Sequence, residues 1–391
     1  MKIAMLVKNF VTTGGANRYA VELSRCLARK GHDVHVYAQS WDEALLRGLT
    51  LHRVRVIRRP RFLNSLVYAL QVSRRTRRGS YDIVHSHQRT VHHHVLSMHH
   101  PCYQGGRLGI APRHLAYRWL ESRQFGCPAI RAVIAVSEQN KQDIVAHYPR
   151  VSPFIHVIYP GVDRIFLETT DGSEHRRAVR ARHGIAEDDL ALILVGSEFK
   201  RKGLRFLIDA LALLRQHRAL ERIPHLLVLG GGDPAEFREL AGRHGLAGQI
   251  HFVGMTRTVE RYYAAADLLV LPTLNEPFGM VVLEAMASGL PAVVSRIAGA
   301  AEVLRHGDNA LLLDDPRDPK QIADAVVALS DPERRRAMGR RARDTARAFT
   351  WERMAEEIER LYQHAASNNQ TGNECNRVGP SLFSDSPNSD R

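Results

Sequence analysis

Two carboxylates and a run of cations hold most of the chemistry in this chain. Glu276 and Glu284 stand eight residues apart in "NEPFGMVVLEAMASGLP", which runs from Asn275 to Pro291. A Pro-Phe-Gly turn follows the first acid, and a Gly-Leu-Pro stop follows the second. The segment between them reads as a short apolar helix from Gly279 to Ser288, ended by Gly289 and Pro291. The open amides of Phe278, Gly279 and Met280 would offer donors to an anion or a hydroxyl. Glu276 sits at that mouth, placed to accept hydrogen bonds from a polyol. Glu284 lies just over one turn in, within reach of a second part of the same ligand. On spacing alone, a capping acid and a solvated helical glutamate fit equally well.

The cations Lys200, Arg201 and Lys202 lie in "VGSEFKRKG" (195–203), between an apolar run ending at Gly196 and a helical stretch. Cations and N–H donors gathered at one point suit a diphosphate. The helix dipole disfavours cations at its N-terminus unless something anionic is present. A solvated basic loop is the alternative. In "TTGGANR", Gly14 and Gly15 let the backbone approach a ligand ahead of a helix start. The spacing is not GxGxxG, so a plain tight turn fits as well. Histidines are dense at His85, His87, His92, His93, His94, His99 and His100. No cysteine or carboxylate shares a familiar ligand spacing with them, so no metal site is expected. His85, His87 and the pair after Met98 fall at strand ends, the positions that face a ligand cleft in open α/β sheets.

Strands and helices alternate almost throughout, as positioning these groups requires. Strands are expected at 1–7, 32–38, 54–58, 82–87, 95–100, 132–137 and 155–161. The pattern restarts with strands at 190–196, 225–232, 250–254, 267–272 and 291–295, and a helix at 203–217. The expected fold class is α/β, with two Rossmann-like doubly wound domains facing a central cleft. The first spans 1–165, a linker with a short helix 166–189, and the second 190–350. A C-terminal helix covers 351–365. The tail 366–391 has no hydrophobic period and is expected to be disordered.

The chain has 391 residues, 44% of them hydrophobic, which suits two domains with ordinary cores. No apolar run reaches the ~18–20 residues that span a bilayer. "MKIAMLV" reads as a first strand and not as a signal peptide. Cys26, Cys102, Cys127 and Cys375 show no paired spacing, which suits a reduced compartment, so a cytoplasmic location is expected. The net charge of +14 is uneven. Residues 1–170 hold 25 Lys+Arg against 10 Asp+Glu, and the remainder holds 30 against 31. An excess confined to one half points to a polyanionic partner: nucleic acid, an anionic membrane face or an acidic glycolipid. A solvated basic surface without a partner is the alternative.

Together these motifs resemble the large group-1 family of retaining GT-B nucleotide-sugar glycosyltransferases. The resemblance runs from residue 1 to about 365. "EPFGMVVLEAMASGLPAVVS" is similar to that family's Glu-x7-Glu signature, with support from "GGANRYAVELSRCLARKGHDVHV", "VIAVSEQNK" (133–141), "VIYPGVDRIF" (157–166) and "YYAAADLLVLP" (262–272). "VGSEFKRKG" and "VYAQSWD" (36–42) resemble the lipopolysaccharide core glucosyltransferases more narrowly, which share Ser197 after Gly196. Those enzymes carry an Asp where this chain has Tyr19, and they lack Pro-Phe-Gly after the first signature glutamate.

The resemblance implies roles for single residues. Arg201 and Lys202 would bind the donor diphosphate and stabilise its leaving charge. Glu276 and the amides of Phe278, Gly279 and Met280 would hold sugar hydroxyls, and Glu284 the ribose. Gly14 and Gly15 would lie against the donor phosphates or sugar. His99 would lie beside the sugar ring, and Gly254 and Met255 in the nucleobase pocket. It implies transfer of a hexose, glucose first among them, from a nucleoside diphosphate sugar, UDP-sugar favoured, without metal or cofactor. The acceptor would be a glycan or glycolipid held by the basic N-terminal half. "RRPRF" (58–62), "RRTRR" (74–78) and "YRWL" (117–120) there would meet the anionic inner face of a bacterial membrane. No nucleic-acid fold motif is present. The rival readings are a GT-B epimerase and a non-catalytic sugar-nucleotide or nucleic-acid binding protein.

Overall fold

The computed structural model describes residues 1–57, 59–103, 112–168 and 172–375. Two parallel sheets organise the chain. The first takes β1 (Lys2–Leu6), β3 (Asp33–Ala38), β5 (Thr50–Arg53), β6 (Ile83–Ser86), β7 (Val95–Met98), β8 (Ala132–Ala135) and β9 (Ile155–Val157), in the order β5-β3-β1-β6-β7-β8-β9. The short pair β2 (Asn9–Phe10) and β4 (Ser40–Trp41) lies beside it. The second takes β10 (Ala191–Val195), β11 (His225–Leu229), β12 (Ile250–Gly254), β13 (Leu268–Leu271), β14 (Ala292–Ser295) and β15 (Ala310–Leu313), in the order β12-β11-β10-β13-β14-β15. The central strands are continuous apolar runs because helices cover both faces, and β10 and β13 are almost wholly buried. The fold is GT-B.

Each sheet reverses direction once, the first between β1 and β6 and the second between β10 and β13. In open α/β sheets such switch points open the crevice that takes a ligand. The turns after β1, β10 and β13 are also the ones that carry the glycine pair, the cations and the two glutamates.

The expected strand at 54–58 is absent over the described residues 54–57, and residue 58 lies outside the described set. The strand is Thr50–Arg53 instead. Its partner β3 ends at Ala38, whose carbonyl takes the Val54 amide at 2.8 Å, so nothing remains for later residues to pair with. The strands expected at 95–100 and 155–161 stop at Met98 and Val157. Within 166–189 a helix, Gly172–His183, packs on the helix Val259–Ala265. The C-terminal helix runs Trp351–Cys375, ten residues past the expected end at 365, and 376–391 lies outside the described residues.

That helix returns to the first sheet's side of the molecule. It buries Met354, Ala355, Ile358 and Tyr362 and packs on the helix Gly15–Arg29. Glu359 accepts from Lys30 at 2.7 Å and from His32 at 2.8 Å. The chain therefore crosses between domains twice, and the crossings are joined: the Val162 amide donates to the Phe349 carbonyl at 3.0 Å. Trp351 Nε1 donates to Asp163. One apolar cluster runs through both halves, from Ile3 and Leu23 to Leu283, Met286 and Tyr362. Among the described residues no helix is long and apolar enough to cross a membrane.

Candidate active site

Between the two sheets lies a cleft with a cavity of about 380 Å³, a size usual for small-ligand sites. All twelve residues to which the resemblance gives a role line it: Gly14, Gly15, His99, Arg201, Lys202, Gly254, Met255, Glu276, Phe278, Gly279, Met280 and Glu284; Lys200 does not.

The helix of the glutamate segment runs Met280–Ala287. Gly279 stands before it at φ 99, a left-handed conformation that side chains rarely adopt. The turn thus ends abruptly, and the first-turn amides open toward the cavity. Glu276 does not stand free at this mouth. Lys202 Nζ donates to its Oε2 at 2.5 Å and Arg201 Nη1 to the same oxygen at 2.9 Å. Arg201 also donates to the Asn275 carbonyl at 2.5 Å and through Nε to Glu198. Burial by itself would push the Glu276 carboxyl up. The Lys202 and Arg201 charges and their hydrogen bonds outweigh it and hold the group below its ordinary value. Lys202 reaches this point by lying across Gly196, where a β-carbon would come within 2.5 Å of the lysine Cε. Any larger residue at 196 would displace the cation.

Glu284 is 8% exposed. It accepts from Tyr263 Oη at 3.0 Å and from Arg18 Nη1 at 3.2 Å. Burial pushes its carboxyl up, and Arg18 with the Tyr263 hydroxyl offsets only part of that, so the net shift is upward. Arg18 belongs to the first domain and also pairs with Asp163 at 3.5 Å, beside the domain crossing. Two further contacts bridge the halves. Ser137 Oγ donates to the Pro277 carbonyl at 2.5 Å. The Glu302 carboxylate accepts the Glu138 and Gln139 amides, each at 2.8 Å, at the start of the helix Glu138–His147.

The histidines divide. His99 lines the cleft, with Tyr19 edge-on at 4.6 Å between ring centroids and His87 Nδ1 at 3.0 Å from its Nε2. Burial lowers its pKa to about 3, so it is neutral at physiological pH. His85 and His87 are buried and do not face the cleft as their strand-end positions suggested. His85 instead meets Tyr362 Oη at 2.5 Å and Ser97 Oγ at 2.8 Å, because the C-terminal helix covers that end of the strand. Away from the cleft lining, Cys102, Asp143 and His147 come close enough to share a cation. Asp143 there is already engaged by the Cys102 amide at 2.7 Å.

Sequence reasoning missed Arg18, Tyr263, Ser137 and Glu302. Arg18 follows the glycine turn directly and was the one within reach, as a cation at a helix start. Tyr263 and Glu302 meet their partners only through the fold, and no local pattern announces them.

Residues 175–345 match the family described as glycosyl transferases group 1, and residues 13–165 match glycosyltransferase family 4. The lipopolysaccharide glucosyltransferase WaaG of Escherichia coli K12 is 27% identical over 88% of this chain and 94% of its own. A D-inositol 3-phosphate glycosyltransferase of Jonesia denitrificans is 28% identical over 90% of this chain and 91% of its own. The crystal structure of WaaG, a glycosyltransferase involved in lipopolysaccharide biosynthesis, superposes with a TM-score of 0.82 at 25% identity, covering 92% of this chain and 99% of that one.

Proposed function

We propose, because this chain belongs to the group 1 glycosyltransferases built on the GT-B fold, that it moves a hexose from a nucleoside diphosphate sugar to a hydroxyl of a glycan or glycolipid with retention of anomeric configuration. The convergence of Arg201 and Lys202 at the mouth of an opened helix, inside the interdomain cleft, carries this reading. Two cations at one point match a leaving diphosphate, and their preorganised charge lowers the barrier to its departure. With that charge supplied by side chains, turnover proceeds without a metal ion. Glu276 orients both cations and offers its remaining acceptor capacity to sugar hydroxyls. Glu284 holds the ribose, and the turn at Gly14 and Gly15 closes over the phosphates. Gly254 and Met255 flank the base, uridine first among the candidates, and neutral His99 accepts or donates one hydrogen bond beside the sugar.

The bond from the anomeric carbon to the diphosphate breaks as the bond to the acceptor oxygen forms on the same face. The departing phosphate oxygen takes the acceptor's proton. Glu276 and Glu284 are the only carboxylates among the described residues lining the cleft, and both are engaged by donors. That supports a mechanism without a carboxylate nucleophile.

Glucose as the sugar, and the lipopolysaccharide core or another cell-surface glycan as the acceptor, draw support from the WaaG relative. Peripheral association with an anionic membrane face follows from the basic first half. On the helix Pro112–Phe125, Leu115 and Trp119 are 55% and 45% exposed, with Arg113, Arg118 and Arg123 exposed around them. Leu70, Arg74, Arg75, Arg77 and Arg78 are exposed on the helix Arg61–Arg78. Apolar tips ringed by arginines suit a headgroup layer.

A panel of nucleotide sugars tests the reaction through slow donor hydrolysis, run with and without EDTA. One donor should be consumed above the others, with equal rates in both conditions and the α or β configuration of the donor kept in the product by NMR. No hydrolysis and no UDP binding would remove the donor reading. Sedimentation with vesicles of anionic lipid at low salt tests the membrane arm.

A further inference from the structure

The loops after β1 and β6 leave the first sheet at the same edge. Leu6 and Ser86 are register partners, and the His87 amide donates to the Leu6 carbonyl at 3.0 Å. These loops carry two cations that the donor site does not use, Lys8 and Arg89. Lys8 Nζ donates to Ser65 Oγ at 2.7 Å and lies 5.9 Å from the centre of the Tyr68 ring. Among the described residues no carboxylate pairs with it. Burial, and then the charge of Arg89, bring its pKa down to about 8.

Among the described residues Arg89 has one ion pair, to Glu121 at 3.3 Å. That carboxylate is fully buried and already takes the Tyr103 amide at 2.7 Å and the Tyr148 hydroxyl at 3.1 Å. The Arg89 Nε is buried and has no hydrogen-bond partner among the described residues. Its guanidinium is braced by the Tyr103 and Tyr117 rings, at 5.5 and 5.4 Å. Two cations on neighbouring loops of one sheet edge, with one carboxylate already shared among other donors, leave the place short of a negative charge. A buried donor without an acceptor is costly unless a ligand supplies one.

The location fits an acceptor. Thr12 and Thr13, on the Lys8 loop, line the donor cleft, as does His99. Arg89 lies two residues past His87, whose Nδ1 is 3.0 Å from the Nε2 of that same His99. We propose that Lys8 and Arg89 form the subsite for an anionic group of the acceptor, a phosphomonoester or a carboxylate, and so hold the acceptor hydroxyl toward the donor cleft. The proposal rests on the reading of the first domain as the acceptor side. Arg89 offers directed N–H donors to such an oxyanion, and Lys8 a point charge.

Isothermal titration with inorganic phosphate, on protein saturated with UDP so that Arg201 and Lys202 are occupied, tests it. Lys8→Met should weaken phosphate binding about tenfold or more, as expected for losing a charged hydrogen bond, with UDP affinity kept. Arg89→Lys, which preserves a cation for Glu121, should give a smaller loss and serves if Lys8→Met folds poorly. At pH 8.5 the wild type should take up a proton on binding phosphate, read from the buffer dependence of the heat, and Lys8→Met should not. A filler role for Lys8 would leave no such signature. Methyl phosphate binding more tightly than acetate assigns the phosphomonoester, and the reverse order the carboxylate. Equal phosphate affinity in wild type and Lys8→Met overturns the subsite. Failure of UDP to bind counts against the donor reading instead, and the phosphate comparison between wild type and Lys8→Met still decides the subsite.

Discussion

Glu276 and Glu284, eight residues apart, are held by opposite means. Glu276 meets two cations from its own domain, Lys202 and Arg201, which keep it ionised despite burial. Glu284 meets a neutral phenol from its own domain and a guanidinium from the other one, and burial prevails. The state of the first is therefore a property of the second domain alone. The state of the second depends on Arg18, and so on the first domain being in place. One acid is a fixed anchor for two cations of the cleft, and the other reports whether the two halves are together.

The largest effect expected from breaking this contrast is at the anchor. Lys202→Ala should lower kcat by ~10²–10³, by analogy with the loss of one preorganised donor, while UDP still binds, as measured by released UDP and by titration. Unchanged turnover would make the Glu276 cluster a structural ion pair. A smaller and more diagnostic split is expected between the two acids. Glu276→Gln should cost kcat roughly tenfold as its cations lose their shared anchor, whereas Glu284→Gln should raise the donor KM roughly tenfold with kcat kept. Identical kinetic patterns in the two variants would erase the distinction.

The smallest effect is in pH dependence. Glu284, with its raised pKa, protonates first as pH falls, so the donor KM should climb on the acid side, and Glu284→Gln should flatten that limb. For stability the signs oppose. The lowered pKa of Glu276 contributes stability above the ordinary carboxylate range, lost as pH falls through its folded value. The raised pKa of Glu284 costs stability at neutral pH, a cost relieved as pH falls through its folded value. At pH 7 the denaturant midpoint should fall below wild type in Glu276→Gln and rise above it in Glu284→Gln, and the Glu284→Gln gap should close as pH falls.

The second domain was the more legible in the sequence. Its strands are unbroken apolar runs, and its chemistry sits in turns marked by Gly196, Gly279 and clustered charge, signals that lie within a few residues of each other. What stayed hidden joins distant parts of the chain. Arg18 and Glu284 are 266 residues apart, and the Glu302 clamp on the Glu138 and Gln139 amides spans 164 and 163. Periodicity carries no record of such pairings. The misplaced strand at 54–58 has the same origin. "VRVIR" alternates well, but a strand needs a partner, and Ala38 is where its neighbour ends. The strand-end position of His85 points to the cleft, and nothing in its own neighbourhood signals that Tyr362 will cover it.

The joined crossings at Val162 and Thr350 have a mechanical consequence. A single connecting strand would let one half twist and slide against the other. Two segments held side by side, with Trp351 packed on Gly161 and hydrogen-bonded to Asp163, act like a double strap between the halves. Torsion of one half against the other would break the Val162–Phe349 and Trp351–Asp163 hydrogen bonds together.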